Sequence, residues 1–470
     1  MKKKILSLVI MFFLAFSLVL TGCRDRGLKN NPATDALTTS NGGMTVVKGD
    51  YLYFVNGYVD ETTLTSKDNK EGKVTRGAIY RTKLQDGEIR KDKDGFLEKD
   101  TVDRVVSRVV GFSNGGFYII DDTIYYATPY MMLDKDGTLL SDRVEIRSIN
   151  INGDTKTDKQ VYVTDTHMDD LEWTMYKVDG QVYLVIYVND TVYSVNASTG
   201  KVVGELDSPS SFVLNYEDNY STSKDRSGDK YRYVFYTRAK QDSDNVSANV
   251  SGNAVCMFDI TNGNVSVPVN NINNNTFTLA SIVDNYLYYT VQTSASLTYC
   301  YRQDLRAAWN NNPQDLTNGV SYTSYYACPY GDYIITTNDS GTWVVSHGQS
   351  PVFVSEDKIA VYDVYGGYAY YEKSDVLYRF KITNPSINEI ATSDSRTPKL
   401  TSATHVDFDG QRVYVYTEYE GGNYYLDYID EITLKQRFVG VFADGETPEA
   451  PEQADKYGED PDVEYIPHID

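Results

Sequence analysis

The feature that most constrains this chain is a short pattern that keeps returning. A tight polar turn leads into a strand that opens on tyrosine or an aliphatic residue. Asp284-Asn285-Tyr286-Leu287-Tyr288-Tyr289 is one copy. Gly49-Asp50-Tyr51-Leu52-Tyr53-Phe54, Asp121-Asp122-Thr123-Ile124-Tyr125-Tyr126 and Asp179-Gly180-Gln181-Val182-Tyr183-Leu184 are others. Gly331-Asp332-Tyr333-Ile334-Ile335, Gly366-Gly367-Tyr368-Ala369-Tyr370-Tyr371 and Asp409-Gly410-Gln411-Arg412-Val413-Tyr414 continue the set, with a looser copy at Gly228-Asp229-Lys230-Tyr231-Arg232-Tyr233. Alone, each says only that a strand follows a hairpin turn. Together, at a spacing of about 50 residues, they read as units of a repeat array.

Units of this size cannot bury their own faces, so each needs its neighbours. No stretch holds a helical period, and Gly, Asn and Asp turns separate short β-rich runs. The expectation is an all-β fold: a β-propeller of eight four-stranded antiparallel blades, with seven as the alternative. Unit three is the clearest meander: Val182–Val188, a turn at Asn189-Asp190, Thr191–Val195, a turn at Ser198-Thr199-Gly200, then Lys201-Val202-Val203. Unit six reads as four strands: Tyr333–Thr336, Thr342–Ser346, Val352–Ser355 and Ile359–Tyr362. Tyrosine carries much of the pattern, with 42 Tyr against 16 Phe. It suits half-buried strands, because its ring packs while its hydroxyl reaches water or a partner.

The chain divides into residues 1–22, 23–43, 44–443 and 444–470. The first part has a basic start, Lys2-Lys3-Lys4, and an apolar run from Ile5 to Leu20. That run is short for a membrane span and right for a secretory signal. It closes on Leu20-Thr21-Gly22-Cys23. This resembles the bacterial lipoprotein signal, in which an aliphatic residue and two small ones precede an obligate cysteine. The resemblance implies cleavage before Cys23, a diacylglyceryl thioether on its sulfur, and an extracytoplasmic protein anchored to the cell membrane by lipid. Residues 23–43 are polar, with no apolar period, and read as a flexible tether. Residues 444–470 are acidic and rich in Pro and Glu, and read as a disordered tail.

The body, on Tyr51-Leu52-Tyr53-Phe54 and Tyr286-Leu287-Tyr288-Tyr289, resembles bacterial propellers related to the low-density-lipoprotein-receptor YWTD type. The YWTD tetrapeptide itself is absent. The resemblance implies a fold and carries no activity.

Charge narrows the partners. The chain has 44 basic and 66 acidic residues, a net charge of −22. That argues against nucleic acid and against electrostatic docking on anionic lipid. Local catalytic motifs are weak. Gly111-Phe112-Ser113-Asn114-Gly115 has the letters of a nucleophile elbow, but a strand, not a helix, follows it. His167, His347, His405 and His468 lack metal-ligand spacing. Asp92-Lys93-Asp94-Gly95 and Asp134-Lys135-Asp136-Gly137 start like calcium loops and lack the later ligands. Cys256, Cys300 and Cys328 allow one disulfide with a thiol left over, or three buried thiols. Trp173, Trp309 and Trp343 fit either a sugar site or one core residue per blade, and Asn310-Asn311-Asn312-Pro313 reads as a loop on a propeller face.

The resulting expectation is a monomeric binding or scaffolding module without catalytic residues, metal or cofactor. Besides the membrane, reached through Cys23, its partner would be an envelope protein, peptide or glycan. The alternative is an envelope glycan lyase or hydrolase whose residues converge in the central channel.

Overall fold

The structure, a computed structural model, describes residues 28–34, 38–39, 45–55, 70–71, 74–75, 78–86, 88–90, 102–106, 108, 110, 116–129, 143–164, 166, 171–214, 216–217, 229–239, 253–269, 276–283, 286–294, 297–304, 313–317, 324–327, 333–365, 367–373, 376–390, 405–408, 413–419, 423–430 and 435–439. Residues 1–22, Cys23 and residues 444–470, expected as signal, lipid site and tail, lie outside them.

Antiparallel sheets follow one another along the chain. Sheet 1 runs Thr45–Lys48, Tyr51–Val55, Ile79–Gln85 and Val102–Arg104, with Thr38–Thr39 added beyond its first strand and Glu88–Ile89 on the end of its third. Sheet 2 is Phe117–Ile120, Thr123–Pro129, Val144–Asn150 and Lys159–Thr164. Sheet 3 is Glu172–Val178, Gln181–Val188, Thr191–Asn196 and Lys201–Asp207. Sheet 4 is Ser211–Val213, Tyr233–Ala239, Asn253–Asp259 and Val265–Val269. Sheet 5 is Thr276–Val283, Tyr286–Ser294, Leu297–Asp304 and Gln314–Asp315, with Tyr216–Glu217 laid parallel on its first strand. Sheet 6 is Ser324–Ala327, Tyr333–Asn338, Gly341–Ser346 and Val352–Ser355. Sheet 7 is Val361–Tyr365, Tyr368–Lys373, Val376–Lys381 and Asn384–Ile390. Sheet 8 is His405–Phe408, Val413–Tyr419, Asn423–Asp430 and Lys435–Val439. Among the described residues the only helical turns are two short 3₁₀ turns, Thr155–Thr157 and Asp229–Arg232.

Each sheet packs on the next in sequence. First strands touch first strands between sheets 1 and 2, 2 and 3, 4 and 5, 5 and 6, and 7 and 8. Meanders with their first strands side by side are the arrangement of a β-propeller. The fold is therefore an all-β propeller. The core lies between sheets. Trp173, Met175, Leu184 and Ile186 of sheet 3 meet Tyr118, Ile120 and Ile146 of sheet 2. Tyr176, Tyr183 and Val185, on the opposite face, meet Val234 and Phe258 of sheet 4 and Tyr231 of the turn before its second strand.

Local chemistry explains the turns. Asp179 and Gly180 both hold positive φ, 50° and 75°, the pair that a two-residue type I′ hairpin needs. The turn from third to fourth strand carries a second device. Asn150, Asn196 and Asp259 each accept, through a side-chain oxygen, the backbone N–H two residues on, at 3.0, 3.1 and 2.9 Å. A glycine follows at positive φ, and it lies against the fourth strand of the preceding sheet or the residue just after it. A Cβ at Gly153, Gly200 or Gly263 would lie 2.6 Å from Val105 O, 3.0 Å from Val161 O or 2.9 Å from Gly204 Cα. The turn thus locks neighbouring sheets together.

Two expectations shift. The tyrosine strand is the second of its sheet, so unit six was read out of phase. Ser324–Ala327 opens sheet 6, and the strand expected at Ile359–Tyr362 is Val361–Tyr365, the opening strand of sheet 7. A meander repeats the same alternation in every strand, so pattern alone does not mark where a unit starts. The tether also ends sooner than its composition suggests. The Leu28 N–H bonds Asn152 O at 2.6 Å, and Arg81 binds Asn31 Oδ1 at 2.5 Å and Lys29 O at 2.9 Å. Residues 28–34 are thus held at the junction of sheets 1 and 2.

Candidate functional site

The recurring Tyr-x-Tyr has a partner on the strand that pairs with it. Register places Tyr53 opposite Arg81, Tyr288 opposite Arg302 and Tyr370 opposite Arg379, each arginine on a third strand. Each guanidinium lies over the ring of the first tyrosine of the pair: 4.7 Å from Tyr51, 4.4 Å from Tyr286 and 3.8 Å from Tyr368. Arg81 and Arg379 also donate to the hydroxyls of Tyr53 and Tyr370, at 3.3 and 3.2 Å. Alternate residues of a strand share one face, so both tyrosines can grip one cation. These arginines are buried. A readable signal existed: all three sit in the dipeptide Tyr-Arg, at Tyr80-Arg81, Tyr301-Arg302 and Tyr378-Arg379.

Burial sets the electrostatics of these rings. It pushes the Tyr53 hydroxyl up to about 12, against the pull of Arg81. Tyr125 and Tyr371 also rise to about 12, through burial first and then nearby acids or phenols. A second charged group faces sheet 1 from sheet 2. Arg147 pairs with Glu145 and Asp158 at 2.8 Å each, and Arg108 reaches the same acids at 3.3 and 3.4 Å. Tyr126 donates to Asp158 at 3.0 Å. Burial opposes the charge on Arg147, but the two carboxylates outweigh it and hold its proton more tightly than usual. Both acids are spent on arginines, so this network braces the sheet junction.

In sheet 6 the frame changes. Tyr333 stands at the first-tyrosine position, opposite Ser346, while Ile335 and Val344 hold the positions of the second tyrosine and the arginine. At this place lies a cavity of about 270 Å³, lined by Tyr333, Val344, Ser346 and Val352 of sheet 6, the turn residues His347, Gln349 and Ser350, and Ile382, Thr383 and Pro385 of sheet 7. Among the described residues none of its lining side chains is Asp, Glu, Lys or Arg. The walls offer one aromatic ring, hydroxyls, an amide, an imidazole and aliphatic groups. His347 is exposed, and its Nδ1 lies 3.1 Å from Asp315 O.

The other flagged residues do not converge. Trp173 is core, edge-on to Tyr118 at 4.9 Å. Trp343 donates to Asn338 Oδ1 at 3.1 Å and packs on Phe353, on the face of sheet 6 away from the cavity. Cys256 and Cys300 are buried free thiols, and burial raises the Cys300 thiol well above its ordinary value. Such thiols are inert hydrophobes. Cys328, Trp309, His167, His468, Gly111–Gly115, Asp92–Gly95, Asp134–Gly137 and Asn310–Asn312 lie outside the described residues, as does the side chain of His405. Among the described residues, no group of three His, Cys, Asp or Glu is placed to hold a metal.

No protein-family model and no curated protein sequence matches the chain. Solved structures do. Dipeptidyl peptidase 4 of Porphyromonas gingivalis aligns at TM-score 0.44 and 8% identity, over 88% of this chain and 62% of that one. The β-propeller domain of the Trilobed protease from Pyrococcus furiosus aligns at 0.39 and 8%, over 76% and 98%. AztD from Citrobacter koseri aligns at 0.38 and 11%, over 78% and 91%. The chain spans 54% of the prolyl endopeptidase it matches.

Proposed function

We infer that this chain is an extracytoplasmic lipoprotein, anchored through Cys23, whose eight-bladed ring binds or scaffolds an envelope protein, peptide or glycan without catalysis. The observation that carries the reading is the docked segment 28–34. Leu28 is bonded to Asn152, in the turn between third and fourth strands of sheet 2. Only five peptide steps separate Cys23 from that point, a reach of at most about 17 Å. Lipid on Cys23 would therefore hold the ring close to the bilayer, with its short-turn rim toward the lipid. The strands that flank the long connections 56–78, 130–143 and 240–252 end on the opposite rim, away from it. Loops positioned by a rigid scaffold commonly carry binding residues.

Eight blades in a closed ring fit two features. Eight sheets of four or more strands follow in order along the chain among the described residues. The face of sheet 1 that turns away from sheet 2, carrying Leu52, Phe54, Tyr80 and Thr82, is buried. Closure of a ring would cover that face.

Two measurements test the reading. Cys23→Ser is expected to shift the protein from the membrane to the soluble extracytoplasmic fraction, and retention in the membrane would defeat the anchor. Cross-linking on intact cells followed by mass spectrometry is expected to recover one reproducible envelope partner. Turnover of cell-wall glycan by the purified protein, with no such partner, would defeat the binding role.

A further inference from the structure

The cavity between sheets 6 and 7 occupies a position that the fold treats in a consistent way elsewhere. In sheets 1, 5 and 7 the face toward the next sheet carries an arginine at that register, and its guanidinium lies on the ring of Tyr51, Tyr286 or Tyr368. Neutral oxygens are among the acceptors of these arginines: Asn31 Oδ1 and Lys29 O for Arg81, which also pairs with Asp103 at 3.6 Å, Gln314 Oε1 for Arg302, and the Tyr370 hydroxyl for Arg379. In sheet 4 the same register holds Met257, opposite Phe235. Among the described residues, only in sheet 6 does a tyrosine at the first position, Tyr333, have a residue as short as Val344 at the arginine's register. The ring is kept, the cation is not, and an open space stands beside the ring.

We propose that this cavity is a receptor for one guanidinium group, the side chain of an arginine brought by a partner peptide. Tyr333 supplies the π face, and the Ser346 and Thr383 hydroxyls supply neutral acceptors of the kind the internal arginines use. The cavity, at about 270 Å³, falls below the usual size of small-molecule sites, roughly 300–1,000 Å³, and suits one side chain. A net charge of −22 attracts cationic partners and repels anionic ones. Planar guanidinium also stacks on aromatic faces where the compact, strongly hydrated ammonium of lysine does so less well. The cavity opens on the same short-turn rim as the docked segment 28–34. This proposal names the ligand chemistry of one site and rests on the binding reading above.

The test uses full-length protein in detergent at low ionic strength. The probes are Nα-acetyl-arginine amide, its lysine and citrulline counterparts, and a capped Gly-Arg-Gly peptide, followed by titration calorimetry. Arginine is expected to saturate at about 1–10 mM, the scale of a single side-chain contact, and to exceed citrulline by about fivefold or more. Tighter binding of the tripeptide would identify a peptide source. Equal binding of the tripeptide and the amide would identify guanidinium recognition without backbone contacts. Val344→Arg is expected to place an internal guanidinium on Tyr333 and abolish binding. Val344→Met, the residue sheet 4 uses at this register, blocks the space without adding charge and covers the case in which the arginine variant does not fold. Citrulline binding as well as arginine, no heat from either probe, or undiminished binding by a folded Val344→Met protein would each overturn the proposal. A cross-linked partner retained by Val344→Met would overturn the cavity's role while leaving the ring's binding role intact.

Discussion

At the scale of single residues, tyrosine does two jobs here: it fills the space between sheets and it holds cations. Both can be tested. Tyr53, Tyr125 and Tyr371 have hydroxyls raised to about 12, against roughly 10 in an unfolded chain. The unfolded state therefore releases these protons first. Their contribution to stability is complete below pH 10 and is lost as pH rises from 10 through 12. Absorbance near 295 nm should show exposed tyrosines ionising around pH 10. A second group should ionise only together with loss of the far-ultraviolet signal. Smooth titration of every tyrosine without unfolding would contradict this. Arg81 is the second case. Arg81→Ala removes bonds to Asn31, Lys29 and Tyr53 and the stacking on Tyr51. The expected loss is about 2–4 kcal/mol in urea unfolding, with new proteolysis near residues 28–34. The tyrosines of these clamps were legible in the sequence because Tyr-x-Tyr follows the turn at Tyr51, at Tyr286 and at Tyr368. The arginines were harder to see, because strand pairing brings Tyr53 to Arg81 from 28 positions away, and only register joins them.

At the scale of elements, the sheet is secured by its turns as much as by its strands. Gly204 and Gly263 bring the backbones of sheets 3 and 4 together. A Cβ on Gly204 would lie 2.5 Å from Gly263 Cα. That neighbour is backbone, and the next, Phe258 Cζ at 2.9 Å, belongs to a fully buried ring. Gly204→Ala should therefore cost about 1–3 kcal/mol, read as a lower denaturation midpoint. An unchanged midpoint would show that the two sheets can separate there freely. The Ser198-Thr199-Gly200 turn is legible in the sequence as hairpin chemistry. Its contact with the preceding sheet depends on the packing angle between sheets, which no local pattern encodes. Unit three was legible almost strand for strand because its turns are short. The boundaries of unit six were misplaced because its opening strand, Ser324–Ala327, precedes the turn that drew attention.

At the scale of the whole molecule, stability is shared around the ring, since each sheet buries its faces only against its neighbours. The buried Leu52, Phe54 and Tyr80 face of sheet 1 makes this measurable. A chain ending at residue 400, without sheet 8, should lose its single cooperative thermal transition and bind a hydrophobic dye. Retention of one sharp transition would mean that sheet 1 is covered in another way. The overall class was legible, since repetition at about 50 residues leaves few alternatives. The cavity beside Tyr333 was not, because it arises where the repeat departs from itself, at Val344.

The bond from Leu28 to Asn152 also has a consequence for assembly. Residues near the amino end emerge first from the ribosome, yet their resting place is built by a strand turn more than a hundred positions later. The beginning of the chain must wait, loose, until the second sheet has formed. Seating it is thus a late, long-range event, and the pace of maturation should follow the slow pairing of distant parts rather than the quick closing of hairpins.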